Sequence, residues 1–150
     1  MEFNWINVFN GVTIVLMLIP NIIFSIKNKE KKPIKANKIA VIIEQISRYG
    51  CMLLMIFPVL IWEFGFSPIE FMFVYLIGNI ILLILYFVFW VLYFKKKTLK
   101  TGVALSIIPG LIFINSAASV KYWILLFVAI VFVFSHTYVT VAEHKSDELS

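Results

Sequence analysis

Long apolar stretches, interrupted by two clusters of lysine, dominate this sequence. Residues 3–26 contain no charged side chain, and residues 71–94 contain none either. A helix that crosses a membrane needs about 20 mostly apolar residues, so both stretches are long enough. The chain is 62% hydrophobic and 14% charged, whereas soluble domains are about half apolar and about one quarter charged. A soluble chain of this size has too little interior to bury so much apolar surface, so the sequence predicts an integral membrane protein.

We predict an all-α bundle of five transmembrane helices that forms one domain over residues 1–150. The predicted spans are residues 3–26, 39–62, 71–94, 103–120 and 122–141, followed by a polar tail at 142–150 that we expect to be frayed. Ser67-Pro68-Ile69-Glu70 reads as a capping box with proline at the first helical position, so the third helix is expected to begin at Pro68. The fourth span is short and contains Pro109-Gly110. A re-entrant segment with only four crossings is therefore the alternative.

The lysine clusters predict the orientation of the bundle. Ten lysines lie in Lys27–Lys38 and Lys95–Lys100, each beside a long apolar stretch. Five crossings place both clusters and the C-terminus on one side, with Glu63, Glu70 and the N-terminus on the other. The positive-inside rule then predicts a multi-pass protein of the cytoplasmic membrane, with its N-terminus outside and its C-terminus in the cytoplasm. The expected partners of these lysines are anionic lipid headgroups rather than nucleic acid.

Three ionisable side chains lie within the predicted spans: Glu44, Arg48 and His136. Such groups cost about 2.5 to 3.5 kcal/mol each near the centre of a membrane, so each requires an explanation. Glu44 and Arg48 are four residues apart and therefore share one helix face. At 1.5 Å per residue, Glu44 and His136 lie at similar depths, roughly 7 to 8 Å inward from the cytoplasmic ends of their helices. We therefore predict a polar ligand-binding pocket in the inner leaflet, and the further residues assigned to it are Gln45, Tyr49 and Asn21.

The same residues also have a purely structural interpretation. Glu44 and Arg48 could form an ion pair that only ties helices together, and His136 could hydrogen-bond a carbonyl near the interface. Cys51 is the only cysteine, which excludes an intrachain disulfide and CxxC motifs, and we expect it to be a small buried apolar residue. Asn79 and Asn115 are expected to form hydrogen bonds between helices. No catalytic residue, metal site or cofactor is predicted, because the sequence lacks the motifs that indicate them.

One stretch of the second span resembles a known group of proteins. Glu44-Gln45-Ile46-Ser47-Arg48-Tyr49-Gly50-Cys51-Met52 is similar to a signature of small multi-pass membrane proteins of low-GC Gram-positive bacteria. The stretches 104–109 and 136–139 resemble further parts of the same group. The group has no assigned activity, so the resemblance implies a bacterial multi-pass protein but no function.

The function expected from these residues is non-enzymatic binding or transport of a small polar or anionic ligand. Arg48 would hold an anionic group, Glu44 would orient Arg48 or exchange a proton, and His136 would accept or release a proton. One alternative is an intramembrane lipid-modifying enzyme that uses His136 and Glu44 as acid and base. Another is an immunity or accessory subunit that acts through helix contacts. The small size is also compatible with a homo-oligomer or a partner subunit.

Overall fold

Five α-helices follow one another along the chain in the computed structural model of the protein. The structure describes residues 5–28, 36–57, 59 and 68–149. The helices are α1 (Trp5–Lys27), α2 (Lys38–Ile56), α3 (Ile69–Lys95), α4 (Leu99–Ser119) and α5 (Trp123–Glu148), and the described ranges contain no strand. All five are long and apolar enough to cross a membrane. The all-α, five-helix prediction is confirmed, and the chain is a multi-pass membrane protein.

The fourth helix is continuous through its proline. α4 runs past Pro109 without a break, so the described part of the chain has five spanning helices rather than four and a re-entrant segment. The helix begins at a capping box, in which Thr98 Oγ1 accepts a hydrogen bond from the Thr101 backbone N at 3.3 Å and the Thr101 hydroxyl accepts one from the Thr98 backbone N. This box satisfies amide groups that would otherwise lack partners in the first turn.

The same helix, α4, is the centre of the bundle. In its spanning segment 56% of the residues are buried inside the protein, compared with 17% to 28% in the other four helices. α4 packs against α3 and α5, α5 also packs against α2, and α1 makes sparser contacts with α2 and α3. Gly110 allows the close approach of α4 to α5, because a Cβ at this position would overlap Val133 Cγ2. Small residues commonly have this role between membrane helices, where they let backbones come close together.

A buried hydrogen-bond network joins α3 to α4 away from the lysine clusters. Asn79 Nδ2 donates to Ser116 Oγ at 3.0 Å, and Asn115 Nδ2 donates to Asn79 Oδ1 at 3.1 Å. Asn79 is 1% exposed, so its amide depends on these partners. The predicted role of Asn79 and Asn115 in joining helices is confirmed.

The basic end of the bundle is the end where α1 finishes at Lys27, α2 begins at Lys38 and α3 finishes at Lys95. The end of α1 is tied to the α3–α4 connection there by Lys97, whose Nζ donates to Asn28 Oδ1 at 2.8 Å and lies 5.1 Å from the centre of the Phe24 ring. The α3–α4 connection and the end of α5 lie at the same end of the bundle, because short connections make consecutive helices antiparallel.

Several helix ends differ from the prediction, and α4 begins at Leu99 rather than at residue 103. α5 continues to Glu148 instead of fraying after residue 141, because His144 packs against the Tyr93 ring, with centroids 6.1 Å apart, and its Nδ1 lies 3.0 Å from the Thr140 carbonyl. α2 ends at Ile56 rather than at residue 62, and residues 60–62 lie outside the described ranges. α3 begins at Ile69, so Pro68 is extended and precedes the helix, while Ser67 lies outside the described ranges.

Candidate functional site

Glu44, Arg48 and His136 meet in one cluster between α2 and α5. Glu44 Oε1 accepts a hydrogen bond from Arg48 Nη2 and lies 3.0 Å from His136 Nδ1. Arg48 Nη2 is 3.4 Å from the same ring nitrogen. The Glu44 side chain is only 3% exposed, whereas Arg48 is 34% exposed and His136 is 21% exposed. The cluster therefore has a buried carboxylate and two partly accessible basic groups, and we call it the ion cluster.

The helix positions of these residues explain how the cluster forms. Glu44 and Arg48 are one turn apart on α2, so their side chains project from the same face. Cys51 and Met55 continue this face and are buried at 0% and 1% exposure, which confirms the expectation for Cys51. On α5, the His136 ring stacks on Phe132 with centroids 5.0 Å apart and an interplanar angle of 14°. Because α2 packs against α5, the two faces bring the carboxylate and the imidazole together.

A cleft of about 250 Å³ lies beside the ion cluster, and all five helices contribute to its walls. At roughly 30 Å³ per water molecule, this space corresponds to about eight waters, which is enough for a small organic molecule. Arg48 and His136 line the cleft. The other walls are largely apolar and aromatic; they include Leu18, Met52, Leu105, Phe113 and Phe132.

Two more of the predicted ligand-binding residues line the cleft, whereas Glu44 and Gln45 are not among its lining residues. Asn21 and Tyr49 are lining residues, and both are exposed at the surface of the bundle. Asn21 Nδ2 donates to Tyr86 Oη at 2.6 Å and to the Met17 carbonyl at 2.8 Å. Gln45 is exposed and lies outside the cleft wall. It shares a helix face with Tyr49 but lies one turn nearer the basic end of α2.

Sequence reasoning missed the contribution of α3 and of the end of α5. Tyr86, Trp90 and Tyr93 line the cleft from α3, and Glu143 and His144 line it from α5. The sequence contained a signal for the α3 residues: Tyr86, Trp90 and Tyr93 are spaced by four and three residues, which places them on one helix face. The last turns of α5 were not considered for the site, because they were expected to fray. The indole nitrogen of Trp90 is buried without a hydrogen-bond partner in the described part of the chain.

The chemistry available at the site is that of hydrogen bonding and proton exchange. His136 contacts the ion cluster through Nδ1, and its Nε2 has no hydrogen-bond partner among the described residues. The described ranges contain no group of three His, Cys, Asp or Glu side chains that could hold a metal ion. Comparison of the chain with protein-family models, curated proteins and solved structures found no match. The resemblance to small multi-pass proteins of low-GC Gram-positive bacteria stays a prediction.

Proposed function

We propose that this protein binds or transports a small polar or anionic ligand in the cleft at the basic end of the bundle. The observation that carries the proposal is a cleft lined by all five helices, with Arg48 and His136 in its wall. Polar and ionisable groups at membrane depth are costly and usually mark a pathway or a binding site. An ion pair that only tied helices together would not need a space beside it large enough for a small molecule.

The proposed roles follow from the exposure of each member of the ion cluster. Arg48 is the most accessible and carries a permanent charge, so it would hold an anionic or strongly polar group of the ligand. Glu44 is almost fully buried and contacts both basic groups, so it would orient them. His136 would accept or release a proton beside the ligand. Under the positive-inside rule the basic end faces the cytoplasm, with its lysines against anionic lipid headgroups of the cytoplasmic membrane.

Native mass spectrometry of the purified protein tests this proposal. The wild type is compared with Arg48→Gln and with the control Lys96→Gln, which removes a positive charge from the exposed connection between α3 and α4. We expect a discrete bound mass on the wild type and on the control, and its loss from Arg48→Gln. Unliganded protein in all three samples, with lower stability for Arg48→Gln alone, would make the ion cluster a structural pair. The same spectra report whether the protein is a homo-oligomer.

A second candidate function is supported by the geometry of His136. Its Nδ1 lies 3.0 Å from a buried carboxylate while Nε2 is unpartnered within the described ranges, an arrangement suited to general acid–base catalysis. In a lipid-modifying enzyme, His136→Gln should retain the bound molecule and lose turnover. In a binding protein, the same change should weaken binding itself. An immunity or accessory subunit that acts through helix contacts should tolerate both His136→Gln and Arg48→Gln.

A further inference from the structure

The ion cluster gains a net positive charge whenever His136 is protonated. Glu44 Oε1 contacts both Arg48 and His136, so a single carboxylate faces two groups that can be cationic. With a neutral imidazole the formal charges sum to zero, and with an imidazolium they sum to one positive charge. Because an uncompensated charge at membrane depth is costly, a proton on His136 calls for an additional anion nearby.

The cluster also has donors that remain available for such an anion. Arg48 uses Nη2 for its contacts with Glu44 and His136, and its other guanidinium nitrogens have no partner among the described residues. In an imidazolium both ring nitrogens donate, so the unpartnered Nε2 of His136 would become a second donor. Both side chains line the cleft. A carboxylate or phosphate in the cleft could therefore accept hydrogen bonds from two different helices.

Among the other titratable groups around the cleft, Glu143 interacts electrostatically with Arg48 and Glu44, but among the described residues it forms no hydrogen bond or ion pair with the ion cluster. Glu143 is exposed and lies seven residues after His136, about 10 Å nearer the basic end along α5. His144 is its immediate neighbour and offsets its charge when protonated. α1 and α4 contribute no titratable side chain to the cleft; the remaining titratable lining residues are the tyrosines Tyr49, Tyr86 and Tyr93.

The shape of the cleft indicates an amphiphilic molecule. Beyond the polar groups its walls are apolar, with Leu18 on α1, Met52 on α2 and Phe113 on α4. Asn21 and Tyr49 line the cleft and are also exposed at the surface of the bundle, so the cleft is accessible from the side of α1 and α2. A molecule dissolved in the inner leaflet could reach the ion cluster by this route.

We infer that the ligand is an amphiphilic acid that binds together with one proton on His136. This inference rests on the ligand-binding function proposed above. The anionic group accepts hydrogen bonds from Arg48 and from His136 Nε2–H, while the apolar part packs against the cleft walls. His136 takes the proton from water, so the bound anion and the proton together add no net charge. Binding is therefore tighter at low pH and weakens as the imidazolium is lost.

Octanoate is a suitable probe because its carboxylate is ionised between pH 6 and pH 8. Saturable binding is measured on protein in nanodiscs and corrected with empty nanodiscs, with octanol and acetate as matched compounds. We expect the octanoate Kd of the wild type to rise severalfold from pH 6 to pH 8, because the imidazolium that donates to the carboxylate is lost as the pH rises. His136→Gln should bind weakly and without pH dependence, whereas the control Lys145→Gln, at an exposed position of α5 outside the cleft wall, should keep the wild-type profile.

Each contrary outcome overturns a distinct part of the inference. A Kd for octanoate that changes less than twofold between pH 6 and pH 8 would refute the coupled proton. If octanol bound as tightly as octanoate, the claim that the ligand is an acid would be refuted. If acetate bound as tightly as octanoate, the claim that the ligand needs an apolar part would be refuted. These three results leave the proposed binding function intact. If no probe binds although a bound mass persists in native spectra, only the ligand class is wrong. The wild-type and octanol measurements need no variant, so the inference is testable even if His136→Gln fails to fold.

Discussion

Arg48→Gln is expected to destabilise the protein because it leaves the Glu44 carboxylate buried with a single partner. Glu44 is 3% exposed, and removing one member of a buried ion pair typically costs about 3 to 5 kcal/mol. Two features reduce the cost here: the Arg48 side chain is 34% exposed, and His136 Nδ1 stays 3.0 Å from the carboxylate. We therefore expect the free energy of unfolding to fall by about 1 to 3 kcal/mol.

A second substitution distinguishes two causes of lost stability in Arg48→Gln: the uncompensated charge of Glu44 and a general disturbance of packing. Glu44→Gln in the Arg48→Gln background removes the buried charge and keeps an amide that can hydrogen-bond His136. The double variant should therefore be more stable than Arg48→Gln alone, by about 1 kcal/mol. Lys96→Gln, on the exposed connection after α3, is the charge-matched control and should stay within about 0.5 kcal/mol of the wild type.

Cys51 supplies the assay for these variants. It is the only cysteine of the chain and is 0% exposed, so a thiol-reactive fluorophore reports opening of the bundle. Reversible unfolding in mixed micelles, followed by this reaction and by far-ultraviolet circular dichroism, gives the free energy of unfolding. Arg48→Gln with wild-type stability would refute the reasoning, and so would a double variant less stable than the single one.

Two further predictions concern the packing of the bundle. Gly110→Ala should lower the free energy of unfolding by about 1 to 3 kcal/mol, because the new Cβ would overlap Val133. Gly11→Ala should be neutral or stabilising by up to about 1 kcal/mol, because no atom lies within 4 Å of its Cβ. Equal effects of the two alanines, or no rescue of Gly110→Ala by Val133→Ala, would contradict the close approach of α4 and α5. Asn79→Ala removes hydrogen bonds with Ser116 and Asn115 and should cost about 0.5 to 2 kcal/mol; unchanged unfolding in mixed micelles would show that this network is not stabilising.

The number of helices was predictable because it depends on local properties. Uncharged stretches of about 20 residues satisfy the length and hydropathy that a span requires, whichever helices later become neighbours. The pairing of Glu44 with Arg48 was predictable for the same reason, since a four-residue spacing fixes a shared face. Their approach to His136 followed from depth, because alternating helices with ends at the same interface place residues of equal depth in one layer.

The parts of the site that could not be predicted depend on how each helix is rotated about its axis. α3 is apolar around its whole circumference, so its hydropathy does not show that the face shared by Tyr86 and Trp90 is the one turned toward the cleft. Gln45 was assigned to the pocket by its proximity in sequence, but it lies one turn nearer the basic end of α2 than Tyr49 and outside the cleft wall. The last turns of α5 are polar and look like a solvated tail, and only the contacts of His144 with α3 and α4 show that they belong to the bundle.

Filling the cleft is the most direct test of the central claim that it holds a ligand. Leu18→Trp adds bulk to the cleft wall from α1 and leaves the ion cluster unchanged. The control Val15→Trp adds the same side chain at a position of α1 that is 59% exposed and lies outside the cleft wall. Native mass spectrometry should detect the bound molecule on the wild type and on Val15→Trp, and little or none on folded Leu18→Trp. A bound mass that persists on Leu18→Trp, or a wild type that carries none, would contradict the account.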